Sequence, residues 1–331
     1  MERKQALLII IVFSVIVLLG FVFVFSNVLF SWDEFDFSGD GIEERISSFE
    51  SSFDSFFSST SISLDLFSIT QRVLLKHETR NFEVLRADDD QLYLGHQVWT
   101  SDEDVLEKVS EQISQIKDVV NSYGGHFLFC QIPYKSSELV EELSGYSNDI
   151  TNTSEDVLCD ILKKKNIEVL DLRGFSDCRE YYKTDHHWSL FSAFNSSRHI
   201  VEELGKRFGF EFDPYVNDLD EFDSYVIKNS LLGSLGVKVG QYYVGKDDFV
   251  IYLPKFNTDL TLSHYINNGE LNHFSEGSFW DAFISEEFLL DNSYFNKYNC
   301  LLCGADVEAV ISNNSPTANS SALLISHSYG R

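Results

Sequence analysis

One short segment, residues 182–189, concentrates the side chains that could do chemistry: a carboxylate, two imidazoles, hydroxyls and an indole. Asp185 and His187 are two positions apart, so in an extended or turn-like backbone their side chains leave the chain on the same side. A carboxylate so placed can accept a hydrogen bond from one imidazole nitrogen, which sets the tautomer and leaves the other nitrogen to act as a base. The same residue types also fit a metal half-site or a structural loop cluster. From spacing alone, all three interpretations stay open.

The pentapeptide TDHHW at residues 184–188, which follows two tyrosines, resembles the motif that names the DHHW proteins. These proteins are a branch of the SGNH-hydrolase-like group, which includes alginate O-acetyltransferase accessory enzymes. In that group the Asp and His precede a nucleophilic serine that follows an apolar run in a strand-to-turn element. Residues 322–330, ALLISHSYG, are similar to that element and put Ser328 in the place of the nucleophile. The resemblance extends from about residue 76 to the end of the sequence.

This resemblance implies a catalytic triad in which Ser328 is the nucleophile, His187 the general base and acid, and Asp185 the group that orients the imidazole. His187 is preferred to His186 because the two-residue spacing suits Asp185 and because the family motif points there. The implied function is O-acetyl transfer to a cell-surface polysaccharide through a serine acyl-enzyme. Two alternatives stay open: a carbohydrate esterase or deacetylase with the same triad, and a non-catalytic glycan-binding or scaffold subunit.

The resemblance also implies partners. A membrane-bound O-acyltransferase would supply the acyl group, and a polysaccharide would accept it. We expect no cofactor and no metal. Formal charge argues against nucleic acid as a further partner, since 25 basic and 52 acidic residues give a net charge of −27, which repels phosphate backbones.

The segment that resembles the nucleophile element departs from the family pattern at two positions. His327 stands where the family prefers Asp or Thr, and Ser326 stands where it usually has Gly. A nucleophile elbow normally leads into a helix whose N-terminal amides help to hold the oxyanion. Only three residues follow Ser328, so we expect the catalytic domain to be C-terminally incomplete.

The elements that would position this site begin with an N-terminal anchor. Residues 1–5 carry two positive charges, and residues 6–30 are almost wholly apolar. A helix of that length is about 37 Å long, which exceeds the ~30 Å hydrocarbon core of a bilayer. Acidic residues follow at once. The pattern predicts an uncleaved transmembrane signal anchor with a cytoplasmic N-terminus and an extracellular domain.

Behind the anchor, residues 31–75 are interpreted as a stem or linker rich in Ser, Phe and acids, and residues 76–331 as the SGNH-like catalytic domain. The hydrophobic share of the chain, 44%, is enough for a packed core. We therefore expect one folded domain behind one transmembrane helix.

Within the domain, apolar periodicity predicts helices and buried strands in alternation. The predicted helices are about 103–122, 154–165 and 190–205, and the predicted strands are 127–130 and 167–172. Such an order is typical of a parallel sheet covered by helices. The fold class is therefore expected to be α/β, an SGNH-hydrolase-like three-layer sandwich with a mostly parallel sheet.

Two further segments complete the prediction. Residues 83–86 and 91–94 flank three aspartates and are expected to form a hairpin that opens the domain. Residues 231–240 contain spaced glycines without a nucleotide-binding pattern. A loop near the active site and an ordinary β-turn are equally open for that segment.

Overall fold

The computed structural model describes most of the chain beyond residue 40. Its described ranges are 41–59, 62–95, 102–135, 141–143, 145–146, 150–266, 269–290, 297–304, 308–316 and 321–326, with nine earlier residues at 14, 15, 17, 18, 20–22, 26 and 38. The chain divides into two compact units, residues 1–74 and 75–331. Each unit is described by itself.

The first unit includes, in its described part, the helices α1 (Ile42–Ser59) and α2 (Ile62–Val73). The predicted stem is thus largely helical. Residues 6–30, the predicted anchor, lie mostly outside the described residues. Among the residues that are described, no helix combines the length and the apolar character needed to cross a bilayer.

The second unit mixes helices with short strands. Its strands are β1 (Glu78–Thr79), β2 (Val84–Arg86), β3 (Leu92–Leu94), β4 (Leu128–Gln131), β5 (Glu168–Asp171), β6 (Phe222–Leu231), β7 (Asp247–Pro254), β8 (Leu260–Tyr265), β9 (Leu271–Gly277) and β10 (Glu308–Asn313). Its helices are α3 (Glu103–Ser122), α4 (Thr151–Lys164), α5 (Leu190–Phe208), α6 (Ser234–Val239), α7 (Gln241–Val244), α8 (Phe279–Phe283) and α9 (Glu286–Leu290).

A three-layer arrangement surrounds the parallel pair β4–β5. Side chains that alternate along these strands point to opposite faces. On one face, Phe129 packs in a cluster with Leu106 of α3 and with residues of α4. On the other face, Leu170 packs with Ile200 of α5. Helices therefore cover both faces of the pair, as the sequence predicts for this part of the chain.

The prediction of a mostly parallel sheet is wrong for the other described strands. These form three small antiparallel sheets, ordered β1-β2-β3, β10-β8-β9 and β6-β7. Parallel neighbours need a long crossover connection, whereas antiparallel neighbours can follow through a short turn. The turn between β8 and β9 spans only residues 266–270, which is too short for a crossover.

Several predicted elements are found close to their predicted bounds. The predicted helix 103–122 coincides with α3, and the Asp102 side chain accepts a hydrogen bond from the Asp104 amide at its start, at 3.0 Å. The predicted hairpin is the pair β2–β3. By contrast, residues 321–326 form no strand, and the side chain of Leu323 is 83% exposed. The apolar run before Ser328 therefore joins no sheet.

Candidate active site

The motif residues form a loop closed at its base by strand-like contacts. Tyr181 and Trp188 form an antiparallel bridge, and the Tyr182 amide donates to the His187 carbonyl at 3.3 Å. Ser189 then caps α5, because its hydroxyl accepts a hydrogen bond from the amide of a first-turn residue. The loop 182–187 is thus anchored directly to the start of a helix, as the sequence predicts.

Asp185 and His187 are brought together inside this loop. His187 Nδ1 lies 2.6 Å from Oδ1 of Asp185, and the His187 backbone amide donates to the same oxygen at 2.9 Å. The Asp185 side chain is 2% exposed and that of His187 is 16% exposed. A carboxylate at Nδ1 favours the tautomer with the proton on that nitrogen, so Nε2 is the nitrogen equipped to accept a proton.

The second oxygen of Asp185 is held by a segment distant in sequence. The Ser234 backbone amide donates to Oδ2 of Asp185 at 2.6 Å, at the start of α6. The preceding residue, Gly233, lies so close that an added Cβ would sit 2.3 Å from the Cβ of Asp185. Two interpretations were open for residues 231–240, a loop near the active site and an ordinary β-turn. In the structure this segment lies beside the candidate site.

The charge state of Asp185 follows from its partners. Burial alone raises the pKa of its carboxyl, but the hydrogen bond from His187 and the nearby charges of both histidines outweigh that effect and lower the pKa to about 2. Asp185 is therefore a carboxylate at neutral pH, which is the state that can orient an imidazole.

His186 has different surroundings from His187. Its Nδ1 lies 2.6 Å from the Ser234 hydroxyl and 3.3 Å from Oδ1 of Asp185. Burial and the neighbouring charge of His187, whose ring is 4.0 Å away, lower the pKa of His186 to about 4. His186 is consequently neutral at pH 7 and is tied to Ser234, while His187 makes the shorter contact with the carboxylate.

Two residues at the site, Lys135 and Asp247, were missed by sequence reasoning, and Thr184 was named only as part of the motif. Lys135 Nζ donates to three backbone carbonyls of the loop, at 2.6–3.1 Å. Asp247 accepts from the Thr184 amide at 2.8 Å and from its hydroxyl at 2.5 Å. Burial lowers the pKa of Lys135 to about 7, against the opposing pull of carboxylates that include Asp247 and Asp185. A lysine that follows a buried strand and a proline was the one available signal in the sequence.

The aromatic residues of the motif serve mainly as packing. Trp188 is 8% exposed and Tyr182 is 6% exposed, so neither presents a face on which a sugar could stack. The ring of Tyr298 lies 5.4 Å from that of His187. A cavity of about 510 Å³ borders the segments before and after the motif. It is lined in part by Tyr181 and by residues of β7 that include Tyr252.

Ser328, the predicted nucleophile, lies outside the described residues. Its role and those of Asp185 and His187 therefore stay predictions, although the latter two are in contact.

In the part of the chain that the structure describes, two groups of side chains have the residue types that could hold a metal ion. One is Asp185 with both motif histidines. In that group, the Nδ1 atoms already have partners at 2.6 Å, so binding through them would break both contacts. The other is Asp177 with Cys178 and His199, where the Arg198 guanidinium lies 2.6 Å from Asp177 and supplies a positive charge.

A comparison with protein families finds a match over part of the chain. Residues 84–214 match the model described as "SGNH hydrolase-like domain, acetyltransferase AlgX". This range includes the whole TDHHW motif and the three layers around β4–β5. A comparison with curated proteins finds no match.

Solved structures resemble the chain at low sequence identity. A DHHW family protein from Eubacterium siraeum has a TM-score of 0.50 and 15% identity, with 72% of this chain and 73% of that chain covered. PatB1 from Bacillus cereus has a TM-score of 0.48 and 18% identity, covering 70% and 75%. The O-acetyltransferase domain of Pseudomonas putida AlgJ has a TM-score of 0.40 and 13% identity, covering 52% and 65%. At these identities the likeness concerns the fold.

The family match covers the motif, and the first of these structures shares the fold of the chain. Residues 84–214, which contain the TDHHW motif, are similar to the SGNH hydrolase-like domain of acetyltransferase AlgX, and the chain shares the fold of a DHHW family protein.

Proposed function

We propose that this protein is a membrane-anchored, extracytoplasmic O-acetyltransferase that modifies a cell-surface polysaccharide through a serine acyl-enzyme. The observation that carries the proposal is the 2.6 Å contact between Asp185 Oδ1 and His187 Nδ1, within a domain similar to acetyltransferase AlgX. That contact is the orienting half of a Ser-His-Asp triad. The nucleophile, Ser328, is assigned from the resemblance.

In the proposed first half-reaction, Ser328 Oγ attacks the carbonyl carbon of an acetyl ester. His187 Nε2 takes the hydroxyl proton as the new C–O bond forms, then gives it to the leaving alkoxide as the donor's C–O bond breaks. In the second half-reaction, a sugar hydroxyl attacks the acetyl-serine. His187 takes the proton of that hydroxyl and returns it to the Ser328 oxygen.

Asp185 supports both half-reactions without moving a proton. Its carboxylate stabilises the imidazolium that forms on His187 in each step and holds the ring in one tautomer. The low pKa of Asp185, about 2, keeps the carboxylate charged at neutral pH.

The anchor and the partners belong to the same proposal. Residues 6–30 form the membrane anchor, with Arg3 and Lys4 on the cytoplasmic side. A membrane-bound O-acyltransferase supplies acyl groups from across the membrane, because a chain with one span and no donor-binding motif cannot carry out that step alone.

The fate of the acetyl group separates a transferase from an esterase. The test gives the purified protein an activated acetyl ester and a glycan oligomer, with mass spectrometry of the oligomer and a parallel acetate assay. A mass gain of one acetyl group that exceeds acetate release is the expected result. Acetate release that does not depend on the glycan, with no mass gain, would identify an esterase.

A serine-reactive probe separates both enzymes from a non-catalytic subunit. We expect labelling of Ser328, located by peptide mass spectrometry and lost in Ser328→Ala. Absence of labelling would mean that the chain binds or scaffolds glycans without catalysing acyl transfer.

A further inference from the structure

Two charged residues hold the backbone of the motif loop, and neither belongs to the motif. We propose that Lys135 and Asp247 are positioning residues for the Asp185–His187 pair, which they align by fixing the loop 182–187 through its carbonyls and its amides. The expected effect on catalysis rests on the proposed function. The expected effect on the geometry of the pair does not.

Lys135 holds the carbonyl side of the loop. Its Nζ donates to the carbonyls of Tyr182, Lys183 and Asp185 at 2.6, 3.1 and 3.0 Å. An ammonium group has three donors, so these three carbonyls use all of them. The Lys135 side chain is 2% exposed, and its Nζ also lies 5.3 Å from the centre of the Tyr93 ring. No neutral side chain of similar length can satisfy three converging carbonyls.

Asp247 holds the amide side of the same segment. Its Oδ1 accepts from the Lys183 amide at 2.7 Å, and its Oδ2 accepts from the amide and hydroxyl of Thr184. Lys183 therefore has its carbonyl held by a cation and its amide held by an anion. Asp247 is the first residue of β7, so it ties the loop to the β6–β7 sheet.

Thr184 connects Asp247 to the segment that holds the carboxylate of Asp185. Its hydroxyl accepts from the Gly233 amide at 2.8 Å, and its carbonyl accepts from the Gly236 amide at 2.8 Å. These contacts fix the start of α6, where the Ser234 amide donates to Oδ2 of Asp185 at 2.6 Å. Asp185 is thus held at two points. Lys135 binds its backbone carbonyl, and the Ser234 amide binds its side-chain carboxylate.

Loss of either charged residue should misalign the pair more than it unfolds the protein. Lys135→Met leaves buried carbonyls without their donor, which lowers the stability of the folded state for each group that finds no new partner. The loop can offset part of this loss of stability by moving its carbonyls toward water. A displacement of about 1 Å at a catalytic group can reduce the rate about 10²-fold, so we expect kcat to fall roughly 10- to 100-fold with a much smaller change in KM.

The experiment reads the geometry of the pair directly, by NMR of the histidine nitrogens in the full chain. The proton between His187 Nδ1 and Asp185 should give a downfield signal, assigned by its loss in His187→Gln. We expect the signal to shift or disappear in Lys135→Met and in Asp247→Asn. Circular dichroism and thermal melting establish that each variant is folded.

A milder variant and a matched control keep the test decisive. Thr184→Val keeps the shape of the side chain while removing the hydroxyl that joins Asp247 to Gly233. It should shift the same signal, and it provides the test if Lys135→Met does not fold. Arg173→Met removes another largely buried cation, which pairs with Glu155 and other acids away from the loop, and should lower the melting temperature without moving the signal.

Inactivity of the unaltered protein toward acetyl esters would contradict the proposed function and leave the NMR comparison intact. An unchanged His187 signal in folded Lys135→Met, Asp247→Asn and Thr184→Val would overturn the positioning role. A shift of equal size in Arg173→Met would also overturn it, since the effect would then follow from lost stability.

Discussion

Gly233 lies directly against Asp185, with room for hydrogen but not for carbon. An added Cβ would sit 2.4 Å from Oδ2 of Asp185 and 2.3 Å from its Cβ. The approach brings the next amide, that of Ser234, to 2.6 Å from the carboxylate. A glycine is needed here because of this contact, which joins a segment 48 positions further along the chain to the motif.

The first prediction follows from this contact. Gly233→Ala should push the Asp185 carboxylate away from the Ser234 amide and cost roughly 1–3 kcal/mol of stability, as overpacking of a filled site does, together with most of the activity. Gly174→Ala is the matched control, because a Cβ there meets nothing within 4 Å. Urea denaturation and ester hydrolysis assays measure both effects. Equal behaviour of the two variants would contradict the steric argument.

The two histidines should differ in their importance. His187→Ala is expected to abolish esterase or transferase activity, because it removes the imidazole that Asp185 orients. His186→Ala should leave a measurable rate, because His186 is bonded to Ser234 and has no assigned proton to carry. Steady-state kinetics of the two variants provides the measurement. Equal necessity of both, together with a stoichiometric bound metal, would replace the triad with a metal site.

Asp185→Asn tests the orienting role. An amide presents a donor as well as an acceptor to His187 Nδ1 and favours the wrong tautomer, so kcat should fall on the order of 10⁴-fold, as in the serine-protease triad. The fold should persist, because Asn is nearly isosteric with Asp. A loss below tenfold, with the structure retained, would show that Asp185 does not orient the base.

Acid should destabilise the protein through His186. Its pKa is lowered from 6.5 to about 4 by burial and by the charge of His187. Between these values the unfolded chain binds the proton and the folded chain does not, so stability falls as pH falls from about 6.5 to 4. The slope is at most about 1.4 kcal/mol per pH unit. It should be smaller here, since 32% of the side chain is exposed to solvent.

The measurement is urea denaturation at several pH values between 4.5 and 7.5, for the unaltered chain and His186→Gln. The variant should have the shallower dependence on pH in this window. An identical dependence in both proteins would mean that another group is responsible.

The topology of the chain gives a last prediction. Arg3 and Lys4 before the apolar run 6–30, and acidic residues after it, predict that the domain lies outside the cell. Protease added to intact cells should digest the domain while an N-terminal tag stays protected. Protection of the whole chain, with digestion only after lysis, would contradict the predicted orientation.

What the sequence determined by itself was local. The Asp185–His187 contact spans two residues, so the direction of successive side chains was enough to predict it. The bounds of α3 and the start of α5 directly after the motif likewise depend on local features, namely apolar periodicity and a capping side chain within one turn. Strands β4 and β5 were visible as short apolar runs bounded by turns and helices.

Only the tertiary structure decided which distant residues meet at the loop. The contacts of Lys135 with Asp185, of Ser234 with Asp185 and of Asp247 with Thr184 join residues 50, 49 and 63 positions apart. No spacing rule reaches across such separations, because these contacts depend on how β4, β6 and β7 pack around the loop. The same reason explains why the strand directions beyond β4–β5 were wrongly predicted. An apolar strand has the same residue pattern whichever way its neighbour runs, and the length and path of the connection set the direction.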